Sequence, residues 1–211
     1  MALVTFPTIK APSTLSFGIR GMAQSFVSEF TGSSQYVRLP GSRWYGAVGW
    51  NNLDGEDFEK LKAFMVQLEG PHNTFEYGDV SRDTPKSGLA STVVLECVTG
   101  AQHSTQLTFR KDATSSTISG TISAFKAGDY FEITSAKGNE LKIVTADATV
   151  ANSGNSTLNF APALRGAVTS GQNITHISPR GIMRLTDNEQ TNWDVAPPVL
   201  GNVGFSFQEA F

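Results

Sequence analysis

Val203-Gly-Phe-Ser-Phe-Gln-Glu-Ala-Phe211 alternates apolar with small or polar side chains up to its last residue. A two-residue period of this kind reads as a strand with one buried face. An open strand edge exposes unpaired N–H and C=O groups, so the segment needs a strand to receive it. Ser13-Thr-Leu-Ser-Phe-Gly-Ile-Arg20 has the same period, with Leu15, Phe17 and Ile19 on one face. The expectation is that these two segments lie side by side in one sheet. The middle of the chain is then an insertion.

One window reads as a helix, at about 55–69. Asp54 can cap it and Asp57, three residues on, can complete a capping box. Phe58, Leu61, Phe64 or Met65, and Leu68 recur at helical spacing, and Gly70-Pro71 supplies a left-handed residue and a breaker. Strands are expected around it at 25–30, 35–39, 43–50 and 73–77. Pro40-Gly41-Ser42 suits a type II turn that joins 35–39 to 43–50 as a hairpin.

Residues 78–89, rich in Asp, Ser, Pro and Gly, read as a mobile loop. Beyond them the pattern is all β, at 93–98, 106–110, 117–124, 129–134, 140–146, 157–160 and 173–177. Turn signals fall at Ala127-Gly-Asp, Lys137-Gly-Asn, Asn152-Ser-Gly-Asn and Leu164-Arg-Gly. Five or six short strands over about eighty residues fit a small barrel of OB type. Ile182–Leu185 then returns to the first domain, and a loop at 187–198 crosses to the final strand. The fold class is therefore mainly β. An N-terminal β-sandwich with one helix takes 1–91 plus 179–211, and an inserted OB-like β-barrel takes 92–178.

The 211 residues include 16 Lys and Arg against 19 Asp and Glu, a formal net charge of −3. The basic residues are scattered, which argues against sequence-specific nucleic-acid binding. Cys97 is the single cysteine and sits in the apolar run Val93-Val-Leu-Glu-Cys-Val98. It reads as a small buried hydrophobe, and an intrachain disulfide is excluded. Met1-Ala-Leu-Val-Thr-Phe-Pro7 has neither the basic start nor the apolar core of a signal peptide. No window approaches the roughly 18 apolar residues that span a bilayer. Assembly in a cytoplasm without membrane insertion is expected.

Chemistry is hard to place on this chain. His72, His103 and His176 are isolated, with no second ligand at metal spacing, so no metal is expected. There is no glycine-rich phosphate loop and no Gly-x-Ser-x-Gly elbow, so no cofactor is expected either. Asp129 and Asp147 stand where strands meet turns, and a turn role fits them better than an acid pair. The expectation is a protein that is not an enzyme.

The aromatics carry more. Trp44, Val48 and Trp50 share one face of a strand and Tyr45 takes the other. They suit a sandwich core first, with an interface as the alternative, where Trp and Tyr are favoured anchors. Trp193 lies in a polar loop and is expected to dock on its own domain or on a neighbour. Arg43, Trp44, Tyr45 and Trp193 are the candidate subunit-interface residues, with the 35–50 hairpin reaching the adjacent subunit.

Several stretches, in order, carry a likeness: Leu39-Pro-Gly-Ser-Arg-Trp44, Trp50-x-x-Leu53 and Leu68-Glu-Gly-Pro-His-Asn-Thr-Phe75. Lys126-Ala-Gly-Asp-Tyr-Phe-Glu-Ile133, Thr157-Leu-Asn-Phe-Ala-Pro-Ala-Leu-Arg165 and the terminal Phe205–Phe211 continue it. Together they resemble the minor tail and baseplate proteins of long-tailed bacteriophages, in particular the distal tail protein. That resemblance implies a structural virion protein at the tail tip, forming a homo-hexameric ring from a sandwich domain with one helix and a long hairpin. The ring would join the tail tube protein to the hub or tip protein and help delimit the DNA channel. Receptor-binding or side-fibre proteins would be further partners. A second reading stays open, a host-surface glycan- or protein-binding module in which Phe125, Tyr130, Phe131 or Phe160 would face solvent on the barrel.

Overall fold

The computed structural model describes residues 1–39, 41–188, 193–196 and 200–210. β1 (Leu3–Val4), β2 (Thr14–Arg20), β3 (Ala23–Val27), β4 (Ser34–Arg38) and β5 (Arg43–Leu53) precede α1 (Gly55–Leu68) and β6 (Thr74–Tyr77). Next come β7 (Leu95–Thr99), β8 (Gln106–Lys111), β9 (Thr121–Phe125), β10 (Tyr130–Ser135) and β11 (Gly138–Val144). β12 (Ala148–Ala151), β13 (Ser156–Ala161) and β14 (Asn173–Thr175) complete the middle of the chain. β15 (Gly181–Leu185), β16 (Asp194–Ala196) and β17 (Leu200–Glu209) close it. The fold is mainly β with one helix among the described residues, and it contains a closed small barrel, as the strand rhythm predicted.

A seven-stranded sheet has the order β1-β6-β15-β17-β5-β2, with β16 also on β17. Both ends of the chain join this sheet, yet they are not neighbours, and the expected pairing of 13–20 with the last strand is corrected. β5 stands between them, pairing with β2 from Thr14↔Gly49 to Arg20↔Arg43 and with β17 from Gly201↔Leu53 to Gln208↔Tyr45. The reason lies in the face that β5 buries, which reads Trp44, Gly46, Val48, Trp50. A Cβ on Gly46 would lie 2.6 Å from Phe207 Cζ and 2.6 Å from the Ser16 carbonyl oxygen. The missing side chain lets Phe207 on one side and Phe17 on the other close over the strand, with ring centroids 6.0 Å apart. Only a strand with a gap there can sit between two phenylalanines, and β5 has it.

With both edges of β5 taken, β4 cannot pair with it, so the expected 35–50 hairpin is also corrected. β4 pairs instead with β3, from Ala23↔Arg38 to Val27↔Ser34. Of the expected Pro40-Gly41-Ser42 turn, Pro40 lies outside the described residues. So do part of the 187–198 loop and Phe211.

The helix follows its sequence signals closely. The Asp54 carboxylate accepts from the Asp57 N–H at 3.1 Å, and Phe58, Leu61, Phe64, Met65 and Leu68 are buried. The capping box is completed differently, because Asp57 accepts from the Lys10 N–H at 3.0 Å and so pins the N-terminal segment. Glu69, at φ 50°, takes the left-handed C-cap before Gly70 at φ 66°. Beneath the helix, Phe64 meets Phe75 edge-on at 5.4 Å, and Phe6 packs on Phe64 at 5.0 Å. Phe58 lies where a Cβ on Gly201 would be, 2.2 Å from its ring. That glycine sits at the one irregularity in the β5–β17 register.

The barrel closes in the order β10-β11-β13-β8-β7-β14, with β14 returning to β10. Its interior holds Leu95, Cys97, Phe109, Phe131, Leu158 and Phe160, each at most 1% exposed. Closure leaves no open strand edge. β12, paired with β9, had no clear sequence signal. The segment 78–89 is tied to the barrel, since Asp129 accepts the Lys86 N–H at 2.9 Å and Ser87 donates to the Ala124 carbonyl at 2.7 Å.

Because Phe207 is fully buried between β5 and the aromatic cluster, Phe207→Ala should destabilise the protein by about 3–5 kcal/mol. Equilibrium urea denaturation measures it, and a change under 1 kcal/mol would contradict the central place given to β5.

Candidate assembly surface

β3 and β4 form a two-stranded ribbon that pairs with no other described strand. Its register places Phe26 and Val37 on one face and Val27 and Tyr36 on the other. All four are exposed, Val27 by 64% and Tyr36 by 72%. A ribbon of two strands with no core on either face is marginal in water by itself. Its tip is nevertheless well defined. Ser28 N–H donates to the Ser33 carbonyl and Gly32 N–H to the Ser28 carbonyl, both at 2.9 Å, and Thr31 Oγ1 lies 2.8 Å from Ser33 Oγ. Gly32 supplies the positive φ of 65° that closes the turn. Phe30, at the apex, is 100% exposed.

At the root of this arm the sheet meets the barrel across a buried charge network. Glu140 and Lys142 of β11 pair at 2.7 Å, and Arg165 pairs with Glu209 of β17 at 2.6 Å. Glu140 also accepts from the Arg165 N–H at 3.0 Å and from the Ser135 hydroxyl. Glu209 accepts from the Trp44 N–H at 3.0 Å, while the Trp44 indole donates to the Leu141 carbonyl at 2.6 Å. Arg165 reaches further, donating to the Ser42 carbonyl at 3.1 Å. Burial alone would push Glu140 up, but the Lys142 ammonium and these hydrogen bonds hold it below the usual carboxylate value. Burial dominates for Glu209 and raises it, and burial lowers Lys142. Above the network a groove of about 810 Å³ opens between the arm's root, the Lys137–Asn139 turn and the 163–165 segment.

The predicted interface residues separate. Tyr45 is 47% exposed on the outer face of the sheet, and Arg43 is half-buried at the groove. Trp44 is a correction: it is 2% exposed, stacked on Phe17 at 4.9 Å, and bonded to the barrel of its own chain. Its even position on β5 turns it inward, so a neighbouring subunit cannot touch it. Trp193 packs on its own domain, half-buried, with the Lys62 ammonium 5.4 Å from its ring centre. The exposed aromatics that sequence reading did not single out are Phe26, Phe30 and Tyr36 on the arm.

The barrel aromatics are already occupied. Phe125, Phe131 and Phe160 are at most 1% exposed, and Tyr130 lies 5.7 Å from Trp44 in the joint. The aspartates take the expected turn roles. Asp147 accepts from the Ala127 N–H at 2.9 Å and pairs with Lys126 at 2.7 Å, and Asp129 accepts the Lys126 N–H at 2.7 Å. Burial pushes the Cys97 thiol up to about 11 and pulls His176 down. Among the described residues no three His, Cys, Asp or Glu side chains converge as metal ligands, and no helix is long and apolar enough to cross a membrane. Comparison with protein-family models and with curated proteins finds no match to this chain.

Glu140→Gln should cost about 3–5 kcal/mol at pH 7, because it strands Lys142 in a dry site. A depressed folded-state pKa means that the stability Glu140 supplies is present above its unfolded value, about 4.3, and lost as pH falls through the folded one. The Tm gap between wild type and variant should therefore shrink as pH drops from 7 to 3. A gap that is constant with pH would remove Glu140 from this role.

Proposed function

We propose that this chain is a structural virion protein, one protomer of a homo-hexameric ring at the distal end of a phage tail. The ring joins the tail tube protein to the hub or tip protein and borders the DNA channel, without catalysis. The observation that carries this reading is the β3–β4 arm. It presents Phe26, Val27, Phe30, Tyr36 and Val37 to solvent on both faces and at its tip. Exposed apolar surface of this extent fits a segment that a neighbouring protein covers. A contact made by an arm on one protomer and a different surface on the next is heterologous, and such contacts close into rings. A tail-tip assignment also draws on the ordered likeness to distal tail proteins, whose ring-forming domain carries one helix and a long hairpin. The joint of Glu140, Lys142, Arg165 and Glu209 suits the role, since it fixes the barrel to the sheet.

The purified protein should run as a ring in size-exclusion chromatography with light scattering, and negative-stain images should show six-fold symmetry around a central opening. Replacing residues 24–37 by Gly-Gly should leave a folded monomer with the wild-type circular dichroism spectrum. A wild-type protein that stays monomeric at high micromolar concentration would sink the proposal.

A further inference from the structure

We infer that the arm of one copy of the chain adds to the sheet of the next as an extra strand, with β4 antiparallel along the open edge of β2. This rests on the ring reading above and goes beyond it by naming the surface that receives the arm. β2 ends the seven-stranded sheet and pairs with β5 on one side only. Hydrogen bonds around β5 show which way each residue of β2 points. The Trp44 N–H goes to Glu209 on the β17 side, whereas the Asn51 N–H and the Gly49 carbonyl go to Ser13 on the β2 side. Odd-numbered residues of β5 therefore face β2, and their partners Thr14, Ser16, Gly18 and Arg20 point back to β5. Leu15, Phe17 and Ile19 turn their N–H and C=O groups outward, where they bond to no described residue. Their side chains are only partly buried, and no charge or proline guards the edge from Thr14 to Ile19.

The arm has the complementary edge. Leu39 N–H donates to the Met22 carbonyl and Ser28 N–H to the Ser33 carbonyl, which makes 24↔37 and 26↔35 the bonded pairs between β3 and β4. Ser34, Tyr36 and Arg38 thus point their backbone groups away from β3. Three open rungs on β4 match three on β2, with Ile19 opposite Ser34, Phe17 opposite Tyr36 and Leu15 opposite Arg38. This register brings Tyr36, 72% exposed, beside Phe17 on the core side of the sheet as an aromatic cross-strand pair. The exposed parts of Phe26, Val27, Phe30, Tyr36 and Val37 amount to roughly 600 Å², close to the ~800 Å² that each partner gives to a standard interface.

A protomer cannot cover its own edge in this way. With β4 antiparallel to β2, β3 runs parallel to β2, and a parallel step needs a crossover of about a dozen residues. Gly21-Met22 is the whole connection from β2 to β3. A tight hairpin of β2 with β3 over the same two residues would bond Arg20 to Ala23, yet the backbone of Arg20 already faces β5. The strand on β2 therefore comes from a second copy. Arm to edge, repeated head to tail, uses two different surfaces of each protomer.

Paired cysteines test the register, because Cys97 is the only native thiol and can be replaced by Ala. In that background Ser16→Cys and Val37→Cys stand directly opposite at a non-hydrogen-bonded pair, with Cα atoms about 4.5 Å apart, within disulfide reach. Mild oxidation should give a ladder of disulfide-linked oligomers. A control with Ser16→Cys and Gln24→Cys, one strand further out, should give none. Independently, Tyr36→Pro removes an outward N–H that β3 does not use, so the arm keeps its own ladder while the edge is blocked. The protomer concentration for half-assembly should rise at least tenfold, with the circular dichroism spectrum unchanged. Three results would overturn this contact and leave the ring reading standing: rings by light scattering without a ladder above the control, a disulfide confined to single chains, or Tyr36→Pro rings at the wild-type concentration. The edge of β2 would then take its strand from its own arm or from another tail protein. Wild-type protomers that never assemble would end both.

Discussion

Everything in the larger sheet depends on one strand having a vacant position where its neighbours are bulkiest. β5 is flanked on both sides over most of its length, and Gly46 is where Phe17 and Phe207 converge on it. Were a side chain present, one of the two flanking strands would have to move off, taking either the start or the end of the chain with it. Because both are admitted, residues 78–180 leave the sheet and return to it without interrupting its hydrogen bonding. The barrel is thus an excursion from a finished sheet.

The same crowding explains the arm. A chain leaving β2 that cannot add to β5 must double back on itself, and β3 and β4 satisfy each other's backbone while their side chains find no core. The two features that point toward assembly, a projecting ribbon and a fixed neighbouring barrel, follow from how the central strand is occupied. The buried pairs at the joint add directionality: Glu140 pairs with Lys142 and Glu209 with Arg165, and each acid also attracts the other cation. Hydrophobic contact alone would allow the two bodies to slide.

How much of this was legible in the residues differs by element. The helix was readable in detail, since Asp54, the 58–68 apolar spacing and Gly70 are all local signals. The barrel was readable as a rhythm of strands and turns, although β12, only four residues long, escaped it. Pairing was not readable. Alternation tells which face of a strand is buried and says nothing about its neighbour, so 13–20 and 203–211 could be assigned to one sheet but not to their places in it. The 35–50 hairpin failed for the same reason, as a plausible turn sequence outweighed a competition among strands that the sequence does not display. Of the interface candidates, Tyr45 kept an exposed position while Trp44, one residue away, turned inward. Glu140 and Lys142 stand in the expected strand 140–146, but nothing in that window shows that two charges are buried there. They face the barrel interior, opposite Ile133 and Phe131 in the register, while Leu141 and Ile143 meet the sheet.

The joint has a consequence for behaviour in different surroundings. Dissolved ions weaken attraction between charges that water can reach, within about 10 Å at 0.1 M, and act far less on pairs below the surface. The side chains of Glu209 and its partner Arg165 are 2% and 15% exposed, so the pair that crosses from sheet to barrel is largely shielded from that screening. The angle between barrel and sheet should accordingly be insensitive to ionic strength, held alike in dilute medium and in brine.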